Sequence, residues 1–260
     1  MEIILNDWAG YDLFREKHLG PNIIQCGLGK VLMNISVYHP GMDIEVVLVI
    51  NSDLGEKQWF LKRIFSKDRH LPKAQRYFEL KEKYPFIKKI IFRSNFGRDI
   101  GAYNCGYQYL KKINYHGDVL FLNTGLAGPS ENGWLKKYRD QFYSGKNIGL
   151  CGITMNSHNT NVSPSPFMPH VQSFFLFTNM DVLRKVFPYN LCGVWILHDK
   201  DRLIEEGEIG ISQKVLNKGY GICCTTFKDF YYYKGASWDI PHIGDVRFLK
   251  EFEKNANHIY

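Results

Sequence analysis

The sequence predicts an α/β fold, with a mainly parallel central sheet and helices on both of its faces. Two observations carry that prediction. Apolar, β-branched runs recur and stop abruptly at polar turns, and charged segments with helical spacing lie between them. Strands that alternate with helices over short connections form parallel sheets, because each parallel neighbour needs a crossover lying on a sheet face.

The first clear run is Asp43–Ile50, which ends at Asn51, Ser52 and Asp53. A strand buried on both faces reads in this way, as a continuous apolar run. A helix-compatible stretch follows, broken at Pro72, and a helix over Lys73–Lys83 is closed by Pro85. The second strand, Lys89–Phe92, runs into the glycine-rich segment Arg93–Gly106 and a helix that reaches Ile113. The third, Asp118–Leu122, ends at Asn123, Thr124 and Gly125. Ligands of open α/β sheets sit outside the carboxyl ends of the strands. The polar turns at 51–53, 93–99 and 123–125 are those ends, so one cleft is expected to collect all three.

The flanks are less legible. A short strand is read at Glu2–Leu5, and Val31, Ile35 and Tyr38 have helical spacing. In the second half, strands are read at Gly149–Thr154 and Gln172–Thr178, with a loop rich in Ser, Asn and Pro between them. A helix over Met180–Val186 leads to a loop holding Trp195 and His198. A further helix starts near Glu208 and is capped by Gly219. Strands at Ile222–Thr226 and Phe230–Tyr233 complete the pattern. No internal repeat and no long linker divides the 260 residues, so a single domain is expected.

Composition narrows the class. With 45% hydrophobic and 15% aromatic residues, the chain can bury a large core. Asn6, Asp7 and Trp8 interrupt the apolar run Ile3–Leu5, which is therefore not a secretory signal, and no run approaches the ~20 residues of a membrane span. A cytoplasmic protein is expected. The six cysteines show no metal-site spacing and read as reduced, structural thiols. The formal charge of +7 favours an anionic partner. The basic residues Lys62, Arg63, Lys67, Arg69, Lys73 and Arg76 are scattered, which fits a solvated face or peripheral contact with an anionic membrane better than nucleic acid.

The richest motif is Asn95-x-Gly97-Arg98-Asp99-x-Gly101-x-x-Asn104-x-Gly106. Glycines at a strand-to-helix junction permit a tight turn and close backbone approach to a ligand. The helix start offers free N–H groups and a positive dipole end to a pyrophosphate, and Arg98 adds a cationic fork. Asp99 would hold a ribose or sugar hydroxyl, although it also fits as a first-turn helix anion. Gly27-Leu-Gly-Lys30 is not a P-loop, since Val31 stands in place of the Ser or Thr.

The paired N-x-G turns, Asn95–Gly97 and Asn104–Gly106, resemble those of family-2-like glycosyltransferases of the GT-A fold, closest to the polysaccharide-synthesis, rhamnan-synthesis-like branch. The resemblance spans roughly Asp43–Cys224. It implies a donor half, 1–148, and a smaller acceptor-side half, 149–260. It implies transfer of a sugar from a nucleotide-diphosphate sugar, UDP by default, to a glycan or lipid-linked glycan. Asn51, Asp53, Asn95, Gly97, Arg98, Asp99, Asn104 and Asn123 would bind the donor. The family's metal-binding D-x-D falls on Asn123 and Gly125, so Mn²⁺ or Mg²⁺ is expected weakly or not at all, with Asn123 as the remaining ligand. The family's general base falls on Glu208, with Glu206 and then Glu205 next. Gln172 and Ser173 would bond sugar hydroxyls, and Trp134 and Trp195 are candidate stacking platforms. A nucleotidyltransferase is the rival enzyme, and a non-catalytic nucleotide- or carbohydrate-binding domain of the same fold is the alternative.

Overall fold

The computed structural model describes residues 1–19, 22–52, 71–159, 166–193 and 200–241. Asp53, Trp195, His198, Asp199 and His242, and the basic residues at 62, 63, 67 and 69, lie outside them. The strands β1 (Glu2–Trp8), β4 (Glu45–Ser52), β5 (Ile87–Ser94) and β6 (Asp118–Asn123) pair in parallel in the order β5-β4-β1-β6. The sheet continues through β10 (Phe175–Asn179), β7 (Ile148–Gly152), β11 (Gly221–Cys224) and β12 (Tyr231–Tyr232). Only β10 and β12 run against the other six strands. The expected α/β architecture with a mainly parallel sheet is present.

The central strands have the burial that their composition predicts. Ile3–Leu5, Val46–Ile50 and Val119, Leu120 and Leu122 are fully enclosed. Helix α1 (Leu28–Val37) follows a small hairpin, β2 (Arg15–Leu19) and β3 (Asn22–Cys26), inserted after β1. Helix α2 (Leu71–Lys83) begins two residues earlier than the sequence predicts. A proline in the first turn lacks only an N–H that a helix start leaves unused. Helix α3 (Arg98–Lys112) packs on β1 and β4, and α4 (Trp134–Ser144) lies under the second half of the sheet, Tyr138 against Phe175. Side chains alternate along a strand. Ile4 and Asn6 therefore face α3, whereas Asp7 faces α2, where it meets Tyr77.

Two segments of the second half differ from expectation. The loop read between the strands Gly149–Thr154 and Gln172–Thr178 holds a hairpin of β8 (Met155–His158) with β9 (Phe167–Val171), and the strand read at Gln172–Thr178 is β10, which starts only at Phe175. The polar Gln172–Ser173 step breaks the run. The helix does not start near Glu208. After α5 (Met180–Val186), a turn, α6 (Lys200–Arg202), passes through a π-helical stretch (Leu203–Ile209) into α7 (Gly210–Asn217), so Glu208 lies inside a continuous helical segment. The helical conformation at Gly207 and Gly210 hid that continuity, since glycine argues against a helix interior. All six cysteines are free, and Cys151, Cys223 and Cys224 are buried between β7 and β11. Among the described residues, no helix is long and apolar enough to cross a membrane.

Candidate functional site

The strand order reverses between β1 and β6, since the chain first builds outward through β4 and β5 and then returns to the other side of β1. At such a point the crossovers diverge to opposite faces and leave a crevice at the strand ends. A cleft of about 530 Å³ lies there, lined by the ends of β1, β4 and β6, the start of α3 and the β2 strand.

Strand alternation divides the wall of this cleft into two sides. Asn6 and Asn123 are register partners, and both face α3. Asn6 Nδ2 donates to Asp99 Oδ1 at 2.5 Å, and Asn123 Nδ2 donates to Asp99 Oδ2 at 2.9 Å. The next residues, Asp7 and Thr124, face the other way. The Thr124 hydroxyl donates to Asp7 Oδ1 at 2.7 Å, and the Tyr77 hydroxyl donates to Asp7 Oδ2 at 3.2 Å.

The α3 side is a hydrogen-bond chain with a set direction. Arg93 donates to Asn51 Oδ1, Asn51 Nδ2 donates to Asn6 Oδ1 at 2.9 Å, and Asn6 donates to Asp99. An arginine can only donate and a carboxylate can only accept. The two ends therefore orient both amides between them. Asn51 Nδ2 also reaches the Arg98 carbonyl at 3.2 Å, which ties β4 to the first residue of α3.

That helix start is unusual. Gly97 has φ 75°, the left-handed region that glycine adopts without cost, and Arg98 follows at φ 46°. A non-glycine residue there costs on the order of 1–3 kcal/mol and persists where its surroundings impose it. Its N–H donates to Asn95 at 3.3 Å, and Asn51 holds its carbonyl. The result is an exposed guanidinium beside the helix amino end. Among the described residues it has no partner.

The glycines beyond Gly97 serve packing, which corrects the expectation that they approach a ligand. A Cβ at Gly106 would lie 2.3 Å from Ile4 Cγ2, and one at Gly101 would lie 2.3 Å from the Phe96 carbonyl. Both allow α3 to lie close on the sheet and on its own entry turn.

Opposite α3, Arg15 Nη2 donates to the Thr124 carbonyl at 3.0 Å, and its guanidinium stacks 3.9 Å over the Tyr11 ring. Arg76 of α2 donates to the carbonyls of Ala9 and Tyr11 and to the Tyr77 hydroxyl. Arg76 is thus a clamp on the loop after β1, not part of a solvated basic face. Burial pushes the Asp7 carboxyl up to about 6 against the opposing pull of Thr124, Arg15, Arg76 and Tyr77. The Tyr77 hydroxyl is raised by burial and by Asp7.

Of the residues singled out from sequence, Asn51, Asn95, Arg98, Asp99 and Asn123 line the cleft, and Gly97 shapes its floor at the α3 start. Asn104 faces elsewhere: its Oδ1 accepts from Leu191 N at 3.0 Å and its Nδ2 reaches Asn190. Trp134 is fully buried and offers no face for stacking. Its aromatic ring fills the core beneath the amino end of α4. Glu206 is exposed and paired with Arg202, one turn before it. Glu208 Oε1 accepts from the Ser173 N–H at 3.1 Å. The next residue, Phe174, accepts from Asn123 N at 3.2 Å, so Glu208 and Ser173 stand at the edge of the cleft without lining it. Gln172 is half-buried beside them.

Asn6, Asp7, Trp8, Tyr11, Arg15 and Lys17 line the cleft and are not among the site residues read from the sequence. The signal was present: Ile3–Leu5 followed by Asn6-Asp7 repeats the pattern of an apolar run ending in a polar turn that marks β4 and β6.

Among the described residues, the cleft carboxylates are Asp7 and Asp99, and all four of their oxygens accept hydrogen bonds from hydroxyls or amides. Asn123 Oδ1 accepts from the Gly125 N–H at 3.0 Å. No group of three His, Cys, Asp or Glu that could hold a metal occurs among the described residues.

No protein-family model matches the chain, and no curated protein matches it. Among solved structures it is similar to a cytidylyltransferase from Leptospira borgpetersenii serovar Hardjo-bovis (strain JB197), at 12% sequence identity and a TM-score of 0.40. The match covers 90% of this chain and 75% of that one. Likeness at that level carries no functional inference.

Proposed function

We propose that the chain is a glycosyltransferase of the GT-A type that uses a nucleotide-diphosphate sugar, with the donor diphosphate at Arg98 and the amino end of α3. The observation that carries this reading is the Arg98 guanidinium, which has no partner among the described residues and stands on a left-handed backbone at the crevice where the strand order reverses. Cation and helix dipole act together on an anion, and both would stabilise the charge that develops on a diphosphate leaving group. The single antiparallel strand inside the sheet, β10, brings Ser173 and Glu208 to the same edge, where 149–260 would supply the acceptor side.

In this reading Glu208 takes the proton of an acceptor hydroxyl on a glycan or lipid-linked glycan. The acceptor oxygen then forms a bond to the anomeric carbon as the bond from that carbon to the diphosphate breaks. Direct displacement inverts the anomeric centre, and the nucleoside diphosphate leaves with its new charge against Arg98. No step is routed through a metal.

A second reading, nucleotidyl transfer, is favoured by one observation. Basic residues after the first strand, Arg15 and Lys17, do reach the cleft. Product analysis separates the two. The glycosyltransferase reading requires release of nucleoside diphosphate from a nucleotide sugar. Release of pyrophosphate from a nucleoside triphosphate and a sugar phosphate would replace it. Binding of nucleotide sugars with no turnover of any donor would leave a non-catalytic binding domain.

A further inference from the structure

We propose that Arg15 and Lys17 form a second anion subsite in this cleft, which takes a phosphate other than the diphosphate held at Arg98. The inference deepens the proposed function and rests on that reading for the placement of the donor.

Strand β2 turns residues 15 and 17 to the same side, since they are two apart, and both line the cleft. The hairpin that carries them is inserted between β1 and α1 and is fastened at the cleft wall, where Arg15 donates to the Thr124 carbonyl. The Arg15 guanidinium is pre-positioned on Tyr11, and its buried Nε has no hydrogen-bond partner. Its Nη2 donates to the Thr124 carbonyl, and the further N–H groups of the guanidinium can take an anion in the cleft as a charge-assisted partner. Asp7, buried nearby, offsets part of this charge, while its two oxygens accept from Thr124 and Tyr77. Among the described residues neither Arg15 nor Arg98 forms a salt bridge with a carboxylate.

The two cations also lie on different sides of the strand ends. Arg98 stands with Asn6, Asn123 and Asp99 on the α3 side, and Arg15 stands with Asp7 and Thr124 on the α2 side. A diphosphate seated at the α3 amino end therefore leaves Arg15 and Lys17 for a further phosphate. Its source is either a phosphorylated second substrate or the terminal phosphate of a nucleoside triphosphate.

Calorimetric titration of the full chain with UDP, with UTP, and with glucose 1-phosphate added to UDP-saturated protein tests this. The subsite predicts that UTP binds about tenfold tighter than UDP, or that glucose 1-phosphate binds the UDP complex. The first result identifies a terminal phosphate and the second a phosphorylated second substrate. Either gain disappears in the Arg15→Ala/Lys17→Ala protein and in Lys17→Glu, a change at an exposed side chain that leaves the Thr124 contact in place, while UDP affinity stays within about twofold. A wild-type chain showing neither gain overturns the proposal. So do substitutions that weaken UDP as much as Arg98→Ala does, which would mean a single shared site. If no nucleotide binds, the proposed function fails, and glucose 1-phosphate alone then decides: binding lost in Lys17→Glu supports the subsite, and no binding overturns it.

Discussion

Substitution of Asp99 by Asn tests the directed hydrogen-bond chain that builds the cleft. The new amide keeps one acceptor oxygen, but its NH₂ group meets the Nδ2 of either Asn6 or Asn123. Neither neighbour can turn round to accept. Asn6 Oδ1 already accepts from Asn51, whose own Oδ1 is fixed by Arg93, and Asn123 Oδ1 accepts from Gly125 N. The variant therefore loses one charge-assisted bond, about 1.5–3 kcal/mol, and the first-turn anion of α3, about 0.3–1 kcal/mol. Together these make about 2–4 kcal/mol. With an unfolding entropy of about 2.1 cal/mol/K per residue, the whole chain melts with about 0.5 kcal/mol/K, so Tm falls by about 4–8 °C. Thermal unfolding followed by circular dichroism measures it. A variant melting within about 1 °C of the parent would refute the reasoning, because the amide directions would then carry no energy.

Four other outcomes are expected. Asp7, raised to about 6 from an ordinary 3.8, binds its proton more tightly in the folded chain, so its contribution to stability is fully present below about pH 4 and about 3 kcal/mol of it is lost as pH rises through 6. Urea unfolding across that window shows the slope, and Asp7→Asn removes it, leaving the part that extends towards pH 7 from Glu2, which burial raises to about 7. Gly106→Ala drives a methyl group into Ile4 and costs about 1–3 kcal/mol, read as a lower urea midpoint at unchanged slope. Arg98→Ala leaves Tm close to the parent, since the guanidinium holds no described partner, but weakens nucleotide binding about tenfold or more in calorimetry. Glu208→Gln keeps donor affinity and loses transfer in a sugar-transfer assay; a variant that transfers normally removes Glu208 from the mechanism.

The parts of the fold that were legible in the sequence are those where burial on both faces makes composition continuous. Val46–Ile50 and Val119–Leu122 read as strands because no polar residue interrupts them, and their polar ends located the cleft before any side chain was placed. Glu2–Leu5 also reads as a strand, but its central place in the sheet and the part its Asn6-Asp7 end plays in the cleft do not show in the sequence. That run is short, and the hairpin after it separates it from its helix, so the strand–helix rhythm is broken. Arg98 and Asp99 were visible through the motif, but the partners that set their roles come from three different strands, which spacing along the chain does not reveal. The glycine pattern was read as ligand-directed because the steric demand of Ile4 on Gly106 exists only in the packed structure. Glu208 is carried to the edge of the cleft by a π-helical stretch in place of the helix start that the sequence predicts.

The central claim is that Arg98 and the start of α3 hold the diphosphate of a nucleotide sugar. Titration calorimetry of the wild-type and Arg98→Ala chains against a panel of UDP-, dTDP- and GDP-sugars tests it most directly. The account predicts saturable binding of at least one donor to the wild-type chain, with affinity lost about tenfold or more in Arg98→Ala at unchanged Tm. Equal affinity of the two chains for every donor, or no binding by the wild-type chain, would contradict it.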